Sequence, residues 1–150
     1  MPDSTPETQS APPVSASRPF RRTRSDHASE TAEDYVEAIS QAIQSNGVCR
    51  NADLARLFAV SHVTVNKTIG RLQKEGLVDT EPYGPVKLTE AGEKLAEESR
   101  RRHELVLRFL LSLGISRPVA EVDSEGIEHH VSAETLSAFQ RHIERMREGE

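Results

Sequence analysis

Apolar residues recur at helical spacing along most of the chain. Tyr35, Ala38, Ile39, Ala42 and Ile43 share one helical face, and Asn46-Gly47 closes that stretch. Thr31 stands ahead of it as an N-cap, with Glu33 and Asp34 in a first turn whose free N–H groups favour carboxylates. Residues 51–74 read as two short helices about a tight turn at Ala59-Val60. Asn51 caps the first, with Leu54, Leu57 and Phe58 turned inward; Ser61 caps the second, on which Val65, Ile69 and Leu72 coincide. Leu77 to Thr80 and Val86 to Leu88 are short extended runs, joined by Glu81-Pro82-Tyr83-Gly84-Pro85, whose composition marks a turn. From Thr89 a long helix runs to Leu113-Gly114, with Leu95, Val106, Leu107, Leu110 and His103 on one face. Pro118 suits the first turn of a further helix reaching about His130. Ser132 caps the last helix, striped by Leu136, Phe139, Ile143 and Met146.

Three helices followed by a hairpin is the order of a winged helix-turn-helix. The expected fold is therefore mainly α: a winged helix-turn-helix with a small β-hairpin wing over residues 31–88, then a linker helix and an α-helical dimerisation domain over 89–150. Residues 1–30 are rich in Pro, Ser and Thr and are expected to be a disordered tail. The cluster Arg18 to Arg24 around Phe20 is either a basic arm for DNA or part of that solvated tail. So much apolar helical surface on 150 residues points to a homodimer.

Composition narrows the class. No apolar run approaches the roughly 20 residues that cross a bilayer, so no membrane partner is expected. The N-terminus lacks the basic-then-apolar order of a secretory signal. Cys49 is the single cysteine, which excludes an internal disulfide and suits a reducing, cytoplasmic setting. The net charge of −5 argues against nucleic acid only until it is divided. Residues 50–87 hold six Lys/Arg against four Asp/Glu, a net of +2. Residues 88–150 hold nine against thirteen, and residues 1–49 four against seven. The field of the contacting face governs phosphate binding, and here that segment is basic.

The second short helix carries Val63, Thr64, Lys67 and Arg71 opposite its buried side, with Ser61 at its N-terminus. Short polar, basic and methyl-contacting side chains of this kind reach base edges and phosphates in a major groove. Lys87 in the hairpin is a candidate phosphate contact.

Glu125, Glu128 and His129 stand at i, i+3 and i+4 in Glu125-Gly126-Ile127-Glu128-His129-His130. On a helix two carboxylates and an imidazole would face one way, an arrangement a divalent cation relieves. The other reading is a solvated acidic face. At 100° per residue His129 shares the sector of the two glutamates, whereas His130 falls with Val119, Val122 and Gly126 and is expected to pack. Asp34 and Glu37 flank the first apolar stripe. His103 alone is ambiguous, and His27, His62 and His142 have no clustered partners in sequence.

Asp34-Tyr35-Val36-Glu37, Arg102-His103-Glu104-Leu105 and Glu125 to His130 together resemble the manganese-responsive repressors of the diphtheria-toxin-repressor family. The motifs occur in the family's order, with the winged helix between the first two, over about residues 31–143. The resemblance implies a metal-ligand set of Asp34, Glu37, His103, Glu125, Glu128 and His129. It also implies two Mn2+ ions per subunit at the junction of the two domains, operator DNA as partner, and repression of manganese-uptake genes. Asp34 replaces a methionine and Glu125 a cysteine of iron-responsive relatives, and hard oxygen donors suit manganese. Fe2+ remains the alternative ion, and the similarity is to the short form without a C-terminal SH3-like domain. A metal-independent winged-helix regulator is the competing reading. A dimetal enzyme is the reading of another class, but no further nucleophile, phosphate loop or oxyanion device accompanies the acidic cluster, so no enzyme is expected.

Overall fold

The computed structural model describes residues 18–149, with side chains from residue 27 onward. Helix α1 (Arg18–Asn46) leads to α2 (Asn51–Phe58) and α3 (His62–Lys74). Strands β1 (Val78–Thr80) and β2 (Val86–Leu88) form an antiparallel hairpin with Asp79 opposite Lys87. Helices α4 (Glu90–Ser112), α5 (Arg117–Ile127) and α6 (Ala133–Glu148) follow. None of the described helices is long and apolar enough to cross a membrane.

Two apolar clusters organise these elements. The first joins Tyr35 and Ile39 of α1 to Leu54, Val65, Ile69, Leu72, Val78 and Val86, so α1 packs into the winged helix-turn-helix. Tyr35 stacks on Phe58 with ring centroids 4.5 Å apart. Cys49 is buried here, its carbonyl accepting from Val86 N–H at 2.8 Å, so the thiol serves packing. The second cluster centres on Val106, Leu110 and Ala120. There Phe109 stacks on Phe139 at 3.8 Å, and His142 meets the Phe109 ring edge-on.

Helix α4 packs along α1 and β2 at one end and along α5 and α6 at the other. Gly92, Ala96, Ser99, Val106 and Leu110 are its buried positions, and with His103 they form one stripe at alternating spacings of four and three. The small residues at its N-terminal end let α1 and the wing approach closely. The apolar residues at its C-terminal end meet α5 and α6. His103 sits where the stripe passes from one set of neighbours to the other.

Several ends differ from the sequence reading. Helix α1 begins at Arg18, and its backbone is helical through the segment 18–30 expected to be disordered. Thr31 lies inside that helix, its hydroxyl donating to the His27 carbonyl at 2.9 Å. Extending a helix already nucleated on a core costs little per residue, so weak propensity does not stop it there. The tail expected over residues 1–17 and the side chains of Arg18 to Arg24 lie outside the described residues. Arg50, not Asn51, caps α2: its N–H donates to Asp53 Oδ2 at 2.9 Å. Leu57 is 63% exposed, because Leu54, Ala55 and Phe58 already occupy the inward arc of so short a helix. Met146 is 49% exposed at the end of the α6 stripe. The Ser61, Thr89 and Ser132 caps form as read, each hydroxyl accepting an N–H from three residues on.

Gly92 fixes how closely α4 crosses the wing. A Cβ there would lie 2.0 Å from the Leu77 carbonyl oxygen, a backbone atom that no rotamer can move. Replacing Gly92 by Ala is expected to destabilise the protein by about 1–3 kcal/mol or more. Urea unfolding of the variant would measure the loss, and an unchanged midpoint would contradict this packing.

Candidate metal centre and nucleic-acid face

Helix α1, the middle of α4 and the end of α5 bring ionisable side chains together at the boundary of the two clusters. Glu128 is at its centre, its side chain 2% exposed. Helix α5 stops at Ile127, earlier than read from the sequence, with Glu128 as its C-cap. His129 and His130 lie in the turn beyond, closed by His130 N–H donating to the Ile127 carbonyl at 3.1 Å. His129 still faces the glutamate side: its Nε2 is 3.4 Å from Glu128 Oε1 and 3.3 Å from Asp34 Oδ1. On the other side, His103 Nδ1 lies 3.1 Å from Glu128 Oε2 and 3.9 Å from Glu125 Oε1. Glu128 thus presents one oxygen to each of two donor groups, Glu30–Asp34–His129 and His103–Glu125.

Glu37 stands beside this pair of groups, close enough to raise the pKa of both Asp34 and Glu128. Its Oε1 accepts from the buried Ser99 hydroxyl on α4. All six residues implied by the resemblance therefore converge. His130 does not pack as expected: its side chain is 46% exposed, with Nε2 3.4 Å from Glu30 Oε2. His27 also has a partner, since Nδ1 lies 3.8 Å from the same Glu30 oxygen.

Supporting residues escaped the sequence reading. Glu33 Oε2 meets His129 Nδ1 at 2.5 Å, while Glu33 Oε1 pairs with Arg102 Nη2 at 2.6 Å. A carboxylate on Nδ1 places the proton there and leaves Nε2 free as a donor atom facing Asp34 and Glu128. The sequence places Glu33 at a helix start, which it does not occupy because α1 begins at Arg18. The signal available was adjacency: Glu33 precedes Asp34 and Arg102 precedes His103.

Electrostatics test whether a cation fits. Burial, then the charges of Glu37, Glu125 and Asp34, push the Glu128 carboxyl up to about 8. Burial and the charges of Glu30, Glu37 and Glu125 raise Asp34 to about 6, against the opposing pull of His129. Glu128 Oε2 is buried and accepts no hydrogen bond, although His103 Nδ1 lies 3.1 Å away. An unpartnered buried carboxylate oxygen among carboxylates and imidazoles is an unfavourable arrangement that a divalent ion relieves. All the donors are oxygen or imidazole nitrogen, since Cys49 is committed to the other core, its thiol pushed up to about 11 by burial. That donor set fits manganese, iron or zinc and excludes thiolate coordination from this chain's described residues.

The exposed side of α3 forms the second candidate surface. Val65, Ile69 and Leu72 are buried, as read, and Val63 is 62% exposed. Lys67 and Lys87 are exposed, Lys87 beside its cross-strand partner Asp79. Ser61 and Thr64 bond to one another through their hydroxyls at 3.1 Å. Arg71 differs from its expected place, because its Nη2 donates to the Ala28 carbonyl of α1 at 3.3 Å and its Nε lies 3.6 Å from Glu75. Between α3 and the wing runs a cleft lined by Arg50, Asn66, Gly70, Gln73 and Tyr83. The Tyr83 side chain stands fully exposed at the wing tip. Of these residues the sequence reading noticed only Tyr83, and that as part of a turn.

Comparison with known proteins matches residues 27–86 to the model described as iron dependent repressor, N-terminal DNA binding domain. Residues 89–149 match iron dependent repressor, metal binding and dimerisation domain. The chain is 50% identical over 120 residues to the transcriptional regulator MntR of Escherichia coli O6:H1, covering 80% of this chain and 77% of that one. It is 37% identical over 100 residues to the HTH-type transcriptional regulator MntR of Bacillus subtilis strain 168, 67% of this chain and 70% of the relative. Among solved structures, a manganese-dependent transcriptional repressor in complex with manganese superposes with a TM-score of 0.67 at 32% identity, over 75% of this chain. The chain spans about half of that longer protein, 52%.

The raised carboxyls set a pH dependence for the metal-free protein. A folded-state pKa above the unfolded value means that the folded chain binds more protons, so stability falls as pH rises. For Glu128 the window runs from the ordinary 4.5 up through about 8, and for Asp34 from 3.8 through about 6. Thermal melting in chelator is expected to give a lower midpoint at the alkaline end of that window than at the acid end. Glu128→Gln should flatten the fall; an identical slope in that variant would mean that Glu128 is not strained by its neighbours.

Proposed function

The chain belongs to the iron dependent repressor family, and on that premise we propose that it is a manganese-dependent DNA-binding transcriptional regulator. One observation carries the metal dependence. The buried Glu128 carboxylate, with one oxygen toward each of two donor groups, joins α1 of the DNA-binding domain to α4 and the α5 turn. The proposed ligands are Asp34, Glu37, His103, Glu125, Glu128 and His129, arranged for two ions per subunit that share Glu128. Manganese is favoured over iron by the absence of sulfur donors at the site among the described residues and by the similarity to a manganese-dependent repressor.

Each residue then has a part in switching. A bound cation supplies positive charge that lets crowded carboxylates ionise side by side. Asp34 and Glu37 belong to the helix whose Tyr35 and Ile39 anchor the winged helix-turn-helix core. His103, Glu125, Glu128 and His129 belong to the elements of the second cluster. Drawing the two sets together restrains α1 against α4 and so fixes α3 relative to the helical domain. Without that restraint, mutual repulsion of the carboxylates favours separation or mobility at the same boundary.

A dimer turns this local restraint into DNA affinity. Leu113, Val119, Val122 and Met146 leave an exposed apolar surface on the helical domain, where a second copy is proposed to pack. Two α3 helices then face successive half-sites about one turn of DNA apart, or a multiple of it. Val63, Lys67 and Lys87 are the proposed contacts of the open face, with Ser61 and Thr64 at the N-terminus of α3. Arg71 is proposed to reach DNA only after leaving Ala28. Higher affinity when manganese is abundant suits a repressor of manganese-uptake genes.

The deciding experiment is retardation of the protein's own upstream DNA as manganese is added to chelated protein. Binding is expected to rise with manganese, to be lost in His129→Ala, and to persist in His130→Ala. Metal-independent retardation would favour the plain winged-helix reading. Lys67→Ala should weaken specific binding without altering manganese affinity measured in the absence of DNA. If it meets phosphate, the loss is uniform across sequences and the salt dependence becomes shallower.

A further inference from the structure

Glu30 lies one helical turn before Asp34, on the part of α1 that the sequence pattern places outside the folded domain. In the structure it joins the centre. Glu30, Asp34 and His129 each offer a ligand atom within 4.8 Å of the others. Asp34 and His129 are already proposed donors, and the buried Glu128 carboxylate turns Oε1 to this group, 3.4 Å from His129 Nε2. Glu30 also has its position supported from two sides. His130 Nε2 approaches its Oε2 at 3.4 Å from the α5–α6 turn, and His27 Nδ1 approaches that oxygen at 3.8 Å from the preceding turn of α1.

We infer that Glu30 is a further metal donor, completing the shell of the ion held by Asp34, Glu128 and His129. The inference rests on the metal centre proposed above and adds a residue to it. Asp34, Glu128 and His129 are three protein donors, and a six-coordinate hard cation has room for another oxygen. Glu30 supplies a carboxylate from the solvent side, its side chain 31% exposed, where water would otherwise complete the shell. The 3.4 Å approach of His130 Nε2 to Glu30 then gives His130 a positioning role: it orients the carboxylate without binding the ion. An added oxygen donor strengthens manganese binding in particular, because manganese gains little from nitrogen compared with zinc.

Titration of the full-length, metal-free protein with Mn2+, following free ion by electron paramagnetic resonance and without DNA, tests this directly. Wild type, Glu30→Gln, Glu30→His and Asp34→Asn are compared, each checked by thermal melting in chelator. Glu30→Gln is expected to lose about tenfold or more in manganese affinity, a loss typical when a residue supporting a metal centre is removed. Glu30→His, which keeps a donor but exchanges oxygen for nitrogen, should regain zinc affinity more fully than manganese affinity. If Asp34→Asn weakens binding and Glu30→Gln does not, Glu30 is only the ion-pair partner of His130. That result overturns the inference and leaves the proposed centre standing. If neither substitution weakens binding, the centre itself has been misplaced and the inference falls with it. Equal zinc and manganese recovery in Glu30→His would likewise overturn a donor role, leaving Glu30 as a distant charge.

Discussion

Crowding of carboxylates around one buried group is the constraint on which the rest of this architecture depends. Glu128 is sealed between α1, α4 and the end of α5, and its neighbours Glu37, Glu125 and Asp34 all oppose its ionisation. A fold selected for stability alone would place an apolar residue there, since a buried ionisable cluster returns less than good packing. The arrangement makes sense as a junction whose energy depends on what occupies it. The two apolar clusters on either side are satisfied internally, so the boundary between them is free to respond.

Helix α4 makes that boundary a mechanical one. Its N-terminal end presents Gly92, Ala96 and Ser99 to the winged helix-turn-helix and its C-terminal end presents Val106 and Leu110 to the helical domain. Close backbone approach at Gly92 leaves little slack against the wing. Adjustment between the domains is therefore concentrated around Ser99 and His103, where Ser99 bonds Glu37 and His103 meets Glu128. Arg102 and Glu33 hold α4 and α1 together on one flank through a charge pair that needs no cation. A boundary pinned on one side by such a pair has a smaller set of motions available than two domains joined by a free linker. That limits the conformational entropy opposing an ordered, DNA-competent arrangement.

Periodicity made the helices, the hairpin and the buried stripe of α3 readable, because Val65, Ile69 and Leu72 sit at spacings only a helix brings together. The chemistry at Glu125 to His129 was readable for a related reason: residue types that repel one another recur within a single turn. Neither signal reaches across the chain. Glu33 and Arg102 meet only after α1 and α4 pack, and nothing local distinguishes Glu33 from an ordinary helix-start carboxylate. His130 was assigned to the core by extending helical angles past Ile127, and the angles cease to apply where the helix ends. The N-terminal half of α1 was missed because its composition is that of a tail, and composition does not register a helix continued from a docked segment.

That continuation links the two functional surfaces. The turn of α1 that carries Glu30 beside the proposed metal centre also carries Ala28, whose carbonyl accepts from Arg71 of α3. Arg71 spends its guanidinium on α1 and Glu75 and has a buried Nε with no hydrogen-bond partner, an arrangement with energy to gain from a better acceptor. A DNA phosphate beside α3 is such an acceptor, since a guanidinium binds it through paired charge-assisted hydrogen bonds. On the proposed reading, restraint of α1 through Glu30 and release of Arg71 from Ala28 would act on one helix, within one turn of each other. If the proposed roles hold, sensing and reading need not communicate through the length of the molecule: the helix that carries the acidic residues at one face also holds Arg71 at the other.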